Sequence, residues 1–208
     1  MNQVNEIIDS TIKNLQRNNI GAYYAKTRDH LIDTLSRLLE KGETIGCGDS
    51  VTLEETGVFN FIRKGGYNFL DKHIPELSSS DKRELYLQSF RSDTFLSGVN
   101  AITQTGHLYF IDGNGSRIAP IIYGPRQVIL VSGTNKIVSD SNEALTRIRQ
   151  VAAPMDAKRL CKNTPCSKTG QCIDCKSIDR ICNDFLCITR QFEKNRIKVL
   201  FIDGNWGF

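Results

Sequence analysis

Residues 94–133 read TFLSGVNAITQTGHLYFIDGNGSRIAPIIYGPRQVILVSG. Three runs rich in β-branched and aromatic residues (94–98, 107–112 and 127–133) are separated by glycine-containing turns, a pattern that predicts strands with a hairpin in the middle. The turns themselves invite a functional reading. Ser97-Gly98-Val99-Asn100 and Asp112-Gly113-Asn114-Gly115-Ser116-Arg117 both fall at strand ends, where open α/β sheets bind ligands. Arg117 stands at the entry to the short apolar stretch IAPII, suited to a carboxylate or phosphate.

Working outward, the flanking chain alternates strands with helices. Val4, Ile7, Ile8, Ile12 and Leu15 recur at helical spacing, so a first amphipathic helix should end near Asn18-Asn19. A strand GAYYA follows from Gly21, then a helix capped by Thr27, with Leu31, Leu35, Leu38 and Leu39 on its apolar face and Gly42 placed to stop it. TIGCGDS from Thr44 reads as a strand ending in a glycine turn, followed by one helix over 52–65 and a short strand over 67–70. Ser78-Ser79-Ser80-Asp81 starts another helix, running to about Phe90. Downstream, a helix begins near Ser141 with Glu143 as a capping partner and ends before Pro154; RIKVLFID from Arg196 is a last strand. Such alternation predicts an α/β fold, a mostly parallel sheet flanked by helices on both faces with one antiparallel hairpin inserted.

Composition sets limits on function. With 208 residues, 39% hydrophobic and 24% charged, the chain should bury one substantial core. Its net charge of +4 comes from 27 basic and 23 acidic residues of interleaved sign, which argues against nucleic acid as the main partner. The N-terminus lacks the apolar run of a secretory signal, and no stretch approaches a membrane span, so the expected location is cytoplasmic with no membrane partner. A homo-oligomer is left open.

Six of the seven cysteines crowd into CKNTPCSKTGQCIDCKSIDRICNDFLC, residues 161–187. In a reducing compartment that density points to metal ligation, and the absence of histidine from the segment makes a four-cysteine site the natural form. The tight pair Cys172 and Cys175 grips from a single turn, with Pro165-Cys166 and Gly170-Gln171 fixing the chain nearby. Spacing alone leaves zinc and a [4Fe–4S] cluster equally open, beside the plainer reading of free thiols. Cys47, between glycines in Gly46-Cys47-Gly48-Asp49-Ser50, is a candidate nucleophile, though a cysteine there more often just fits a small space. His107, beside the Asn100 loop, is a candidate proton donor, with an exposed turn histidine as the blander reading.

The block 95–138 together with EALTRIRQVAAPMDAKRL resembles the LUD domain of the lactate-utilisation protein family. The resemblance implies a fold like that of the phosphosugar-isomerase and CoA-transferase-like α/β proteins, with residues 1–154 and 195–208 forming the LUD domain and 155–194 a cysteine-rich attachment. It implies a part in oxidising L-lactate to pyruvate with iron–sulfur and oxidase-like partner proteins, and it assigns no catalytic residue. It also favours Cys166, Cys172, Cys175 and Cys182 as the recurrent four. The expected ligand site takes a small organic acid or other anion on Gly46, Gly48, Asp49, Ser50, Asn100, Gly113, Asn114, Gly115 and Arg117. Alternatives are an iron–sulfur redox or scaffold component, and a transferase or isomerase acting on a phosphorylated or CoA-linked metabolite. CoA-transferase chemistry is disfavoured by Asn100, an amide where related enzymes place a glutamate nucleophile.

Overall fold

The computed structural model describes residues 3–208, with side chains from Asn5 onward, so Val4 of the first apolar stripe lies outside the described side chains. Helix α1 (Gln3–Arg17) leads into β1 (Gly21–Ala25), and α2 (Arg28–Leu38) starts where the Thr27 hydroxyl accepts the His30 amide. Helix α2 stops at Leu38 because Leu39 turns extended; Gly42, the expected stop, takes a left-handed φ of 80° in the turn beyond. Strand β2 (Thr44–Cys47) is followed by two helices, α3 (Val51–Glu55) and α4 (Val58–Lys64), in place of the single one expected. Gly57 between them sits at φ 79°, a conformation that terminates one helix and cannot continue it. The edge strand β3 (Asn68–Phe69) precedes α5 (Ser79–Ser89), which opens with a capping box between Ser78 and Asp81.

The deciding stretch forms β4 (Thr94–Gly98), β5 (Ala101–Thr103), β6 (Leu108–Asp112), α6 (Ile118–Ile122) and β7 (Gln127–Gly133). Buried Arg196 donates to the carbonyls of Pro120, Ile121 and Pro125, satisfying acceptors that the end of α6 leaves over. After β8 (Ile137–Val138), α7 (Ser141–Arg147) is capped by Asp140, and Glu143 accepts the Ser139 amide. This helix does not end before Pro154. A π-helical turn over Ile148–Ala152 joins it directly to α8 (Ala153–Arg159), whose first turn holds Pro154. Pro154 falls at the start of α8, a helix position where its missing N–H and fixed φ are tolerated. The cysteine segment contributes α9 (Pro165–Thr169) and an unforeseen strand, β9 (Asp184–Ile188), before β10 (Ile197–Ile202).

Among the described residues one sheet has six strands in the order β1-β10-β7-β4-β2-β3, all parallel. An antiparallel hairpin does form, but the run 107–112 (β6) makes it with β5, a strand outside the three predicted runs. The outer two runs pair parallel with each other, and β5 and β6 are the centre of a second sheet ordered β8-β5-β6-β9. Strand alternation explains how these layers stack. In the parallel sheet Phe95, Val128, Leu130, Val199 and Phe201 face α1, α6 and the second sheet, while Leu96, Ile129, Val131, Leu200 and Ile202 face α2, α3 and α4. In the second sheet Leu108 and Phe110 turn inward, whereas Tyr109 and Ile111 turn out under α7 and α8. Both faces of the parallel sheet are thus covered, which is why its strands read as continuous apolar runs. No helix among the described residues is long and apolar enough to cross a membrane.

Candidate functional site

A crevice of about 350 Å³ opens beyond the carboxyl ends of β2, β4 and β6 and is walled by α8 and the cysteine segment. Six of the sequence-derived ligand residues line it: Asp49, Ser50, Asn100, Gly113, Asn114 and Arg117. Gly46, Gly48 and Gly115 do not. Gly46 and Gly48 are required by packing: a Cβ at Gly46 would come within 2.8 Å of the Ser89 hydroxyl, and one at Gly48 within 2.9 Å of Arg117 Cγ. The Gly48 amide is also spent, donating to Leu96 O at 2.8 Å. Gly115 takes φ 78° in the turn, and its carbonyl accepts the Ala119 amide as α6 begins.

Arg117 is the organising side chain. Its guanidinium donates to Asn100 Oδ1 at 2.8 Å and to the Ile111 carbonyl, lies 3.8 Å from Asp112, and sits over the Phe110 ring. Burial pulls its pKa down against the opposing pull of Asp112, yet an arginine stays charged under any ordinary condition. Asn100 Oδ1 also accepts the Ile111 amide, so the amide nitrogen of Asn100 is the end left to the crevice. Arg147 holds the Asn100 loop from the other side, donating to its backbone carbonyl at 2.6 Å. These are rigid contacts. They fix the loop geometry before any ligand arrives.

Several lining residues carry no sequence signature. Lys72, Lys136, Arg159 and Arg180 join Arg117 to make five basic groups, against Asp49, Asp112 and Asp156. Arg159 is committed to Asp49 at 2.9 Å and Asp156 at 2.7 Å. Burial would raise the Asp49 pKa, but Lys72 and Arg159 outweigh it and hold the carboxyl below its usual range. Lys72 and Lys136 form no ion pair among the described residues. Lys136 is 2% exposed, and its Nζ donates to Thr52 Oγ1 at 2.8 Å. Burial, reinforced by Arg147 and Arg117, pushes its amine down to about 7. Desolvation lowers Lys72 as well, opposed by Cys47 and Asp49. The only hint in the sequence was that Lys136 follows β7 in a Gly-Thr-Asn turn, a strand end like the others.

Neither candidate catalytic residue lies in this crevice. Cys47 is 2% exposed inside the core shared by Leu53, Ile62 and Leu96, and burial pushes its thiol up to about 11. A nucleophile needs the thiolate, which this environment disfavours. His107 sits at the start of β6, the end opposite Asp112, where the adjoining Gly106 packs against the backbone of Asn14 and Leu15 in α1.

The cysteine segment builds a second, smaller cavity. Cys166, Cys172, Cys175 and Cys182 all line it, with Thr164, Ile173, Ala153, Ala157 and Ile181 between them. Arg180 staples the segment, donating to the carbonyls of Cys175 and Cys182 and pairing with Asp174 at 2.9 Å. Burial raises the Cys182 thiol; Arg180 opposes this, and Cys172, Cys175 and Cys166 add to it. Cys161 and Cys187 are exposed and outside the cavity, and the seven cysteines form no disulfide. Among the described residues, no three His, Cys, Asp or Glu side chains gather as ligands of a single metal ion.

Comparison with known proteins identifies the family. A model of the LUD domain matches residues 8–202. A DUF162 family protein of Deinococcus radiodurans superposes with a TM-score of 0.56 over 98% of this chain and 100% of its own, at 12% identity. Partial likenesses extend to eIF2B beta of Chaetomium thermophilum (TM-score 0.38, 15% identity, 56% of this chain and 44% of that one) and to ribose 5-phosphate isomerase of Plasmodium falciparum (TM-score 0.34, 14% identity, 55% and 53%). No curated protein matches the sequence.

Proposed function

The chain belongs to the LUD domain family, and from that membership we propose that its crevice binds a small organic acid in the service of L-lactate oxidation to pyruvate, carried out with iron–sulfur and oxidase-like partner proteins. The observation that carries this reading is Lys136, a buried amine facing the crevice with no carboxylate partner among the described residues. A buried cation is costly unless an anion neutralises it, so the crevice favours a ligand that brings the missing negative charge. Lys72 offers a second cation, and the Asn100 amide offers a neutral donor suited to a 2-hydroxy or 2-oxo oxygen. The volume, about 350 Å³, lies at the small end of metabolite sites.

Lys72 and Lys136 would also receive a phosphate, which keeps a transferase or isomerase on a phosphorylated or CoA-linked metabolite as the second reading. Calorimetric titration separates the two. L-lactate or pyruvate is expected to bind saturably, and Lys136→Met to weaken that binding by roughly 10- to 100-fold, the worth of one charge-assisted hydrogen bond. Tighter binding of a sugar phosphate than of any three-carbon acid would transfer the assignment to the second reading. Binding of neither class, or binding indifferent to Lys136→Met, would remove the crevice from consideration.

A further inference from the structure

The cavity lined by four cysteines encloses only about 10 Å³, which does not fit a [4Fe–4S] cube. The larger crevice holds a different reactive group, the amine of Lys136. A lysine amine attacks a carbonyl carbon only as the free base, with its nitrogen lone pair unoccupied. Three features of the Lys136 setting meet that need.

The first is its hydrogen bond. Nζ donates to Thr52 Oγ1 at 2.8 Å, while the Thr52 hydroxyl directs its single hydrogen to Trp206 O at 3.2 Å. With that hydrogen committed, Thr52 can only accept from the amine, so it anchors Nζ through an N–H and leaves the lone pair free. The second is the lack of an ion pair: among the described residues no carboxylate lies within bridging distance of Nζ to fix it as the ammonium. The third is the surrounding charge. Burial disfavours the ammonium most, Arg147 at the end of α7 and Arg117 ahead of α6 add to this, and Glu55 at the end of α3 opposes them, leaving the amine at about 7.

The same crevice offers partners to the rest of a 2-oxo acid. Lys72 lines it as a cation for the carboxylate, and the Asn100 amide nitrogen as a donor. A 2-oxo acid differs from a 2-hydroxy acid in having an electrophilic carbonyl carbon, which only the former presents to an amine.

We propose that Lys136 forms an imine with the carbonyl carbon of a 2-oxo acid held in the crevice, an inference that rests on the small-organic-acid reading of that site. Nζ adds to the carbonyl carbon to give a carbinolamine, whose hydroxyl then leaves as water. The two N–H hydrogens depart with the carbonyl oxygen, a C=N bond replaces C=O, and nothing is oxidised or reduced. By taking up a solvent proton, the imine nitrogen restores the positive charge beside the carboxylate. The crevice thereby tells an oxidised acid from its reduced counterpart by a covalent bond.

Cyanoborohydride reduces such an imine to a stable secondary amine. The full chain, incubated with pyruvate and cyanoborohydride at about pH 7, is expected to gain the mass of one reduced pyruvate, and peptide mapping to place it on Lys136. L-lactate in place of pyruvate should leave the mass unchanged, and L-lactate added to pyruvate should suppress the adduct. Lys136→Met, with its fold checked by circular dichroism, is expected to lose the adduct. Lys72→Met should raise the pyruvate concentration needed for half-maximal trapping and keep the adduct on Lys136. No adduct at pyruvate concentrations that calorimetry shows to be saturating would overturn the imine and leave anion binding standing. An adduct spread over exposed lysines such as Lys26 and Lys194, or one that survives in Lys136→Met, would overturn it too. Absence of both binding and adduct would remove both readings. An adduct on Lys136 that L-lactate fails to suppress would support the imine and count against lactate as the ligand.

Discussion

Replacing Lys136 by methionine should make the protein more stable while it disarms the crevice. Lys136 is 2% exposed, and its amine is pushed from 10.5 down to about 7 by burial and by the neighbouring Arg147 and Arg117, with Glu55 opposing. Because the folded value lies below the unfolded one, the unfolded chain binds more protons between them, and stability rises with pH across that window. At pH 7 the linkage amounts to about 4 kcal/mol of cost to the native state, at ~1.4 kcal/mol for each tenfold loss of proton affinity. Methionine has nearly the same reach and carries no charge. It forfeits the hydrogen bond to Thr52 Oγ1, worth about 1 kcal/mol net, while Thr52 keeps its own donation to Trp206 O.

The expected gain is therefore about 3 kcal/mol at pH 7, or roughly 6–12 °C in Tm for a chain of this size. The gain should shrink through pH 8 and 9 and be gone by about pH 10, where lysine in the unfolded chain also begins to lose its proton. Urea denaturation of both proteins at each pH, without ligand, measures it directly. A variant less stable than the parent at pH 7, or one whose advantage is the same at pH 7 and pH 10, would show that Lys136 is not the strained cation described.

Three further outcomes follow from the same geometry. Affinity for a carboxylate ligand should hold level below about pH 6 and fall above pH 7 as Lys136 loses its proton, with a slope approaching tenfold per pH unit; titration at several pH values reads it. Arg117→Ala strips a partner from Asn100, Ile111 and Asp112 together, and should cost about 2–4 kcal/mol in denaturation and abolish detectable anion binding. Gly48→Ala drives a methyl group against Ser97 Oγ at 2.8 Å and Arg117 Cγ at 2.9 Å, so a loss of about 1–3 kcal/mol should come with weakened anion binding. Full binding by that variant would detach Arg117 from the site.

The layers of this fold were legible because the runs around Phe95, Val128 and Val199 are continuously apolar, the mark of strands covered on both faces. What escaped was decided by single backbone positions or by long-range pairing. Gly57 looked like a tolerable helix interior glycine and is a break at φ 79°. Pro154 looked like a stop and is an entry. β9 hid among cysteines because its pairing with β6 supplies the order its own side chains do not signal. The site divides the same way. Glycine turns marked the loops of Asn100 and Arg117, but Gly46 and Gly48 turned out to make room for neighbours. Lys72 and Lys136 look like any surface lysine in sequence; only packing from distant segments makes them the crevice's cations.

Strand β10 has a consequence for how the protein comes to exist. It lies between β1 and β7, and so joins residues 21–25 to residues 127–133 through residues 197–202. On the ribosome, β1 emerges early and waits for its neighbour until nearly the whole described chain has been made, with the open flank of β7 waiting beside it. During translation those two edges offer unpaired hydrogen-bonding groups to any passing strand. The nascent chain thus carries both edges unpaired for an interval set by the rate of synthesis.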